Sequence, residues 1–292
     1  MTQVSRIVFS SSLFAVGEFR CPPGSPLWNS LNLIGPWPHV VFPRTSVVIE
    51  HAGRRPILTN QNHVVFYNAE EQYRRALHDR RGDHCVYVAL VPAFAAELGA
   101  DAIPFTNGPG DARAYVVQHA ALRELRRADP DPLAVEESIL EAVARSLTNG
   151  FAFHRTRERS RRRRTNAAHH DLVESAKTWL TERFTEQVTL EEIARVLHTS
   201  PFHLARVFRA GTGFSLHEYR NQLRLRTALD RLATGEHLAT LAHELGYNSH
   251  SHFTRAFRRA FGVAPSLMRS REAFRRLREL RMIVAARHSE AS

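Results

Sequence analysis

The sequence predicts an α+β chain: a β-sandwich or small barrel with two helices behind it, then an all-α region built of two helix-turn-helix repeats. Three observations predict this. Short apolar runs broken by Pro, Gly and Asn fill the stretch from Val4 to Phe105. From Asp111 onward the apolar period lengthens to a helical one, and the carboxy-terminal part repeats its own pattern at an offset of 48 to 49 residues.

The strand signal comes first along the chain. Val47 to Ile49, Val64 to Tyr67 and Val86 to Leu90 are runs of strand length, and Arg81-Gly82-Asp83 supplies turn material before the last of them. Short strands at this spacing form sandwiches or small barrels. Between Asp111 and Asn149, Tyr115, His119, Leu122 and Leu125 share one helix face. After Pro130 and Pro132 interrupt the chain, Val135, Ile139, Leu140, Val143 and Leu147 share another. Such faces must be covered, by the sheet or by a second copy of the chain. Residues 155–164 then carry no apolar side chain and seven arginines. Self-repulsion predicts an extended linker here, read as a solvated tether, with minor-groove or phosphate contact as the alternative.

Charge is divided unevenly. Residues 1–153 hold 14 Lys+Arg against 15 Asp+Glu, while 154–292 hold 26 against 14, so the whole excess of the +11 chain lies in its second half. A polyanion is the natural partner of such a half, because each neutralised phosphate releases counterions. Two cysteines, Cys21 and Cys85, are too few for a disulfide framework and lack metal or redox spacing. No run of about 18 apolar residues and no signal-peptide layout occurs, so a cytoplasmic setting without membrane contact is expected.

In the repeat, Leu190, Ile193, Ala194 and Leu197 recur as Leu238, Leu241, Ala242 and Leu245; Ser200, Leu204, Arg206, Phe208, Arg209 and Gly213 recur as Ser249, Phe253, Arg255, Phe257, Arg258 and Gly262. Each copy reads as a short helix, a tight turn and a second helix. Ala194 and Ala242 provide the small residue that lets the two helices cross closely. His198-Thr199-Ser200 and Gly246-Tyr247-Asn248-Ser249 form the turns, Ser200 and Ser249 are placed as caps, and Pro201 suits a first helical turn. With Leu204, Val207 and Phe208 inward, and Phe253, Ala256 and Phe257 likewise, the opposite faces are free. They carry Phe202, Ala205, Arg206 and Arg209 in the first copy and His250, Ser251, Thr254, Arg255 and Arg258 in the second. Arg grips guanine O6 and N7 with two hydrogen bonds, and Phe or Ala meets a thymine methyl, so these nine are the candidate DNA-binding residues. Arg206 and Arg255 are the first choices for base reading; a phosphate clamp is the alternative for either.

The span from about His169 to Arg269 resembles the AraC/XylS family of transcription regulators. The resemblance rests on Leu238, Leu241-Ala242, Leu245-Gly246-Tyr247, Ser249, Ser251, Phe253, Arg255, Phe257, Phe261-Gly262 and Pro265-Ser266 in that spacing. Leu267-Met268 stands where the family has an aromatic residue. The resemblance implies two recognition helices in successive major-groove segments, about 34 Å apart, and RNA polymerase as a partner of an activator. The amino-terminal half resembles the family's cupin-type sensor, through its strand count, the order sheet, two helices, linker, DNA-binding region, and the segment Gly82-Asp83-His84-Cys85-Val86-Tyr87. That implies a sensing and dimerising domain over 1–153, a linker over 154–168 and a DNA-binding domain over 169–292. A small effector and a homodimer formed through Ile139, Val143 and Leu147 are then expected. The tail from Arg271 to Arg287 is expected to be helical through Phe274, Leu277 and Val284.

No enzyme motif is present. His39, His51, His63, His78 and His84 show no His-x-His pair, and His250-x-His252 lies on a helix where neighbours two apart diverge. No metal, cofactor or catalytic residue is expected, and Cys85 reads as a buried, inert thiol. Two other classes remain: a DNA-repair enzyme delivered by the helix-turn-helix, which needs a reactive cysteine, and a non-specific architectural DNA protein.

Overall fold

The computed structural model describes residues 4–160, 167–232, 236–270 and 272–279. Within them, a six-stranded antiparallel sheet runs in the order β1 (Val4–Ser10), β2 (Phe14–Cys21), β9 (Asp83–Leu90), β4 (His39–Pro43), β7 (His63–Tyr67) and β10 (Asn107–Pro109). A four-stranded antiparallel sheet runs β3 (Leu31–Leu33), β8 (Gln72–Leu77), β5 (Val47–His51) and β6 (Ile57–Thr59). The three apolar runs picked from the sequence are β5, β7 and β9. β7 is buried at every position, as a central strand with both faces covered must be. Val41, Val65, Ile49 and Tyr73 come from both sheets and share one core, so the sheets face each other in a two-layer sandwich. Gly17 sits opposite Tyr87 across the β2–β9 ladder, and a Cβ there would lie 2.2 Å from the tyrosine ring, so the ring lies flat where a side chain would otherwise stand.

The helices follow: α1 (Pro92–Glu97), α2 (Ala112–Glu124), α3 (Pro132–Ser160), α4 (Ala167–Arg183), α5 (Leu190–Val196), α6 (Pro201–Thr212), α7 (Leu216–Leu232), α8 (Leu238–Glu244), α9 (His250–Phe261) and α10 (Pro265–Arg269). Among the described residues no helix is long and apolar enough to cross a membrane. The backbone clusters into two compact units, 1–111 with 144–223, and 112–143 with the residues from 224 onward. The divisions fall inside α3 and α7. The first unit holds both sheets and the first repeat, whose core joins Ala176 and Leu180 of α4, Ile193 and Ala194 of α5, Leu204 and Phe208 of α6, and Leu216, Tyr219 and Leu223 of α7. The second unit holds α2, the start of α3 and the second repeat, with Leu241, Ala242, Phe253, Phe257, Phe261 and Met268 buried.

Two expectations are corrected. Residues 154–160 are not extended but continue α3 as a helix. The reason is local: His154 stacks on Phe105 at 4.4 Å, and the Arg157 guanidinium lies 5.4 Å from the Phe153 ring and donates to Gly211 O, so the side chains gain neighbours that offset repulsion. Residues 161–166 of the expected linker lie outside the described residues. The proposed dimer face is also occupied within one chain: Ile139 and Val143 are fully buried and Leu147 nearly so. In the tail, 273–279 are helical, with Phe274 and Leu277 buried, and within the second unit Arg113 donates to Leu277 O at 2.9 Å and Arg278 pairs with Glu137 at 2.8 Å. Val284 lies outside the described residues.

Candidate nucleic-acid interface

The first repeat is locally over-determined. Thr189 closes a capping box on α5: its hydroxyl accepts from the Glu192 amide at 3.2 Å while the Glu192 carboxylate accepts from the Thr189 amide at 2.7 Å. Hydrogen bonds from the Thr189 backbone amide and hydroxyl to the Glu192 carboxylate hold that carboxyl below its ordinary range. After Leu197 the chain turns through His198 at φ 50°, and the Thr199 amide donates to Ala194 O at 3.0 Å. Ser200 caps α6 by accepting from the His203 amide, Pro201 opens the first turn, and Gly213 at φ 81° closes the helix with its amide on Arg209 O.

The second repeat shares this turn and the caps of its second helix, but α8 opens on His237 without a side-chain cap. Gly246 at φ 76° takes the place of His198, the Tyr247 amide donates to Ala242 O at 3.0 Å, Ser249 caps α9 by accepting from the His252 amide, and Gly262 closes it at φ 76°. Rings of Phe253, Phe257 and Phe261 stack edge-on at 5.7 and 4.6 Å along the buried side of α9. Arg224 of α7 donates to Gly246 O at 2.9 Å and so fixes the turn.

The nine candidate residues fall as follows. On α6, Phe202 is 79% exposed, Arg206 and Arg209 are exposed and Ala205 is half-buried. On α9, His250, Ser251, Arg255 and Arg258 are exposed and Thr254 is half-buried, with its hydroxyl 3.5 Å from the His250 ring. Leu204, Val207, Phe208, Phe253 and Phe257 are buried on the other side, whereas Ala256 is only half-buried. Among the described residues none of Arg206, Arg209, Arg255 and Arg258 is held in an ion pair within 4 Å; Arg206 reaches only the His203 ring, at 3.4 Å. An exposed Phe beside unengaged guanidinium groups on a short, doubly capped helix is arranged to meet an anionic, partly apolar surface.

Sequence reasoning missed two further sites, both in the first unit. Between the sheets lies a cavity of about 230 Å³ with apolar walls from Phe19, Ile34, Val41 and Val65. At its polar end Arg75, 3% exposed, pairs with Asp83 at 3.4 Å, touches the Tyr73 hydroxyl, and sits 4.2 Å from the Phe19 ring centre. Burial pushes the Asp83 carboxyl up to about 6 against the pull of Arg75, raises Tyr67 and Tyr73, and lifts the Cys85 thiol well above its usual range. Arg75 Nε has no hydrogen-bond partner among the described residues. The second site is a wide cleft beside α6, lined by Arg54, Arg55, Arg157, Lys177, Arg206 and Arg209 among others. Among the described residues no group of three or more His, Cys, Asp and Glu is placed to hold a metal ion.

Comparison with known proteins agrees with this geometry. A helix-turn-helix domain family matches residues 193–271. Regulatory protein SoxS of Salmonella typhimurium is 33% identical over 105 residues, which are 36% of this chain and 98% of SoxS. The chain belongs to the AraC/XylS family of transcription regulators. As a member of that family it is a sequence-specific DNA-binding transcriptional regulator. The family likeness extends beyond the repeats: HTH-type transcriptional activator RhaS of Pectobacterium carotovorum is 28% identical over 158 residues, 53% of each chain. Bifunctional transcriptional activator/DNA repair enzyme AdaA of Bacillus subtilis is 31% identical over 100 residues, 34% of this chain and 47% of AdaA.

Proposed function

We propose that this regulator is an effector-responsive activator that reads two successive major-groove segments of double-stranded DNA, with α6 and α9 as its recognition helices. The observation that carries the reading is the set of exposed, unengaged arginines on two helices whose caps and turns match bond for bond. Phe202, Ala205, Arg206 and Arg209 meet one segment; His250, Ser251, Thr254, Arg255 and Arg258 meet the other. The names of SoxS and RhaS, a regulatory protein and a transcriptional activator, favour regulation; as an activator the chain would have RNA polymerase as a partner. The cavity between the sheets, with apolar walls and Arg75 at its polar end, favours a small effector with an apolar body and a polar group for Arg75. We place sensing in residues 1–153 and DNA binding in 169–292, joined across 154–168, in a cytoplasmic homodimer whose contact lies away from Ile139 and Val143.

Repair of the kind in AdaA's name is not part of this reading, because it needs a nucleophilic thiolate: Cys21 is 1% exposed and burial keeps the Cys85 thiol protonated. In this reading the chain works by binding rather than as an enzyme, in line with the regulatory names of SoxS and RhaS. The deciding experiment selects genomic fragments bound by the protein and footprints them in excess competitor DNA. Protection confined to a shared site is expected; uniform coating of all fragments is the behaviour of an architectural protein.

A further inference from the structure

We infer that the cationic cleft beside α6 holds DNA backbone, with Arg54 and Arg55 of the β5–β6 turn gripping phosphates of the duplex that α6 enters. This rests on α6 being a recognition helix. Six cationic side chains line the cleft against two carboxylates, Glu158 and Glu174. Glu174 is already engaged, with Lys177 at 2.8 Å and the Leu58 amide at 2.7 Å. Lys177 is 3% exposed and so is not itself a surface contact. What remains is Glu158 against the five guanidinium groups of Arg54, Arg55, Arg157, Arg206 and Arg209.

Arg206 and Arg209 belong both to this set and to the outward face of α6, so the cleft is continuous with the proposed groove-reading surface. A strand whose bases meet α6 must carry its phosphates past the flanks of that helix. The β5–β6 turn is fixed at such a flank rather than free to swing. His170 of α4 bonds Pro56 O at 3.2 Å, and Arg55 pairs with Asp171 of α4 at 3.2 Å. Both members of the latter pair are more than half exposed, so water screens their attraction and a phosphate can replace Asp171. Arg54 has Nη2 on Pro104 O at 3.3 Å and keeps further donors on its guanidinium.

The test measures binding of the full chain to a 30-base-pair random-sequence duplex by fluorescence anisotropy between 50 and 200 mM salt. Removing two phosphate contacts in R54Q/R55Q should lower the slope of log affinity against log salt by about two, making the salt-driven loss about tenfold smaller, and R54K/R55K should restore most of the slope. A double Gln variant with the wild-type slope, beside an R206Q/R209Q variant whose slope falls, overturns the inference and leaves α6 as a DNA contact. A wild-type chain that binds no duplex at any salt removes the recognition-helix reading itself. Inorganic pyrophosphate that binds the wild type but not R54Q/R55Q, yet displaces no duplex at constant ionic strength, assigns the cleft to a small anion and also overturns the inference.

Discussion

Arg255 lies one turn into α9, exposed, with no carboxylate claiming it. If it reads a guanine, Arg255→Ala relaxes preference at one base pair of the selected site by about 1–3 kcal/mol and leaves random-duplex affinity little changed. Competition binding against single-base variants of the site checks this; an equal loss on every variant marks a phosphate contact instead. Arg255 and Arg206 were legible in the sequence because helical period alone places them opposite Phe253 and Leu204. The Arg75–Asp83 pair was not, since Arg75 stands on β8 and Asp83 on β9, strands of different sheets that meet only when the sandwich closes. Asp83 also has a pH signature. Its carboxyl is raised from 3.8 to about 6 in the folded chain, so its contribution to stability is fully present below about pH 3.8 and is lost as pH rises through about 6. Urea midpoints of wild type and Asp83→Asn from pH 4 to 8 should therefore shift in the wild type's disfavour with rising pH and level off beyond the carboxyl's titration. A shift in the other direction means that Arg75, not burial, governs the group.

At the scale of elements, the repeats differ in one telling place. His198 turns at φ 50° where Gly246 turns at φ 76°, and a residue with a Cβ carries a cost of roughly 1–2 kcal/mol in that region. Glycine removes the clash but adds about 0.5–1 kcal/mol of unfolded-state entropy. His198→Gly is thus expected to be stabilising by up to about 1 kcal/mol, read as a higher midpoint for the helical signal on heating; a lower midpoint means that the His198 side chain makes a contact worth more than its strain. The turns and Ser caps were readable because each is set by residues within five of one another. The continuation of α3 to Ser160 was not. Its arginine-rich end is helical through Phe105 and Gly211, about fifty residues away on either side, and charge counting along the chain has no access to such neighbours.

For the whole molecule, the division into two compact units cuts across the sequence, because 112–143 associates with the second repeat and the sheets associate with the first. Composition located the β region, the helical region and the charge asymmetry between them, but helices with apolar faces do not announce which later segment will cover them. The consequence is testable by deleting residues 1–153. The core of the first repeat is supplied by α4 to α7 alone, from Ala176 to Leu223, and SoxS matches this region over nearly its whole length, so the 154–292 fragment should fold. It should also be less stable. Tyr219 loses Asn60 from its hydroxyl at 2.8 Å and Asn62 from its carbonyl at 2.7 Å, and Thr181 loses Asn60 at 2.9 Å. In the second unit the Arg226 guanidinium, fully buried and 5.1 Å from the Tyr115 ring, is uncovered when α2 is removed, and Asp230 loses the Tyr115 hydroxyl. The expected fragment is a monomer by sedimentation, helical by circular dichroism with a lower thermal midpoint than the full chain, and weaker on DNA. If Arg54 and Arg55 contact phosphate, the salt dependence of the fragment's DNA binding should also be shallower than that of the full chain, because both arginines leave with the deletion. An unfolded fragment means that the sheets and α2 are part of the fold of the helical region, and that DNA binding cannot be separated from sensing at residue 154.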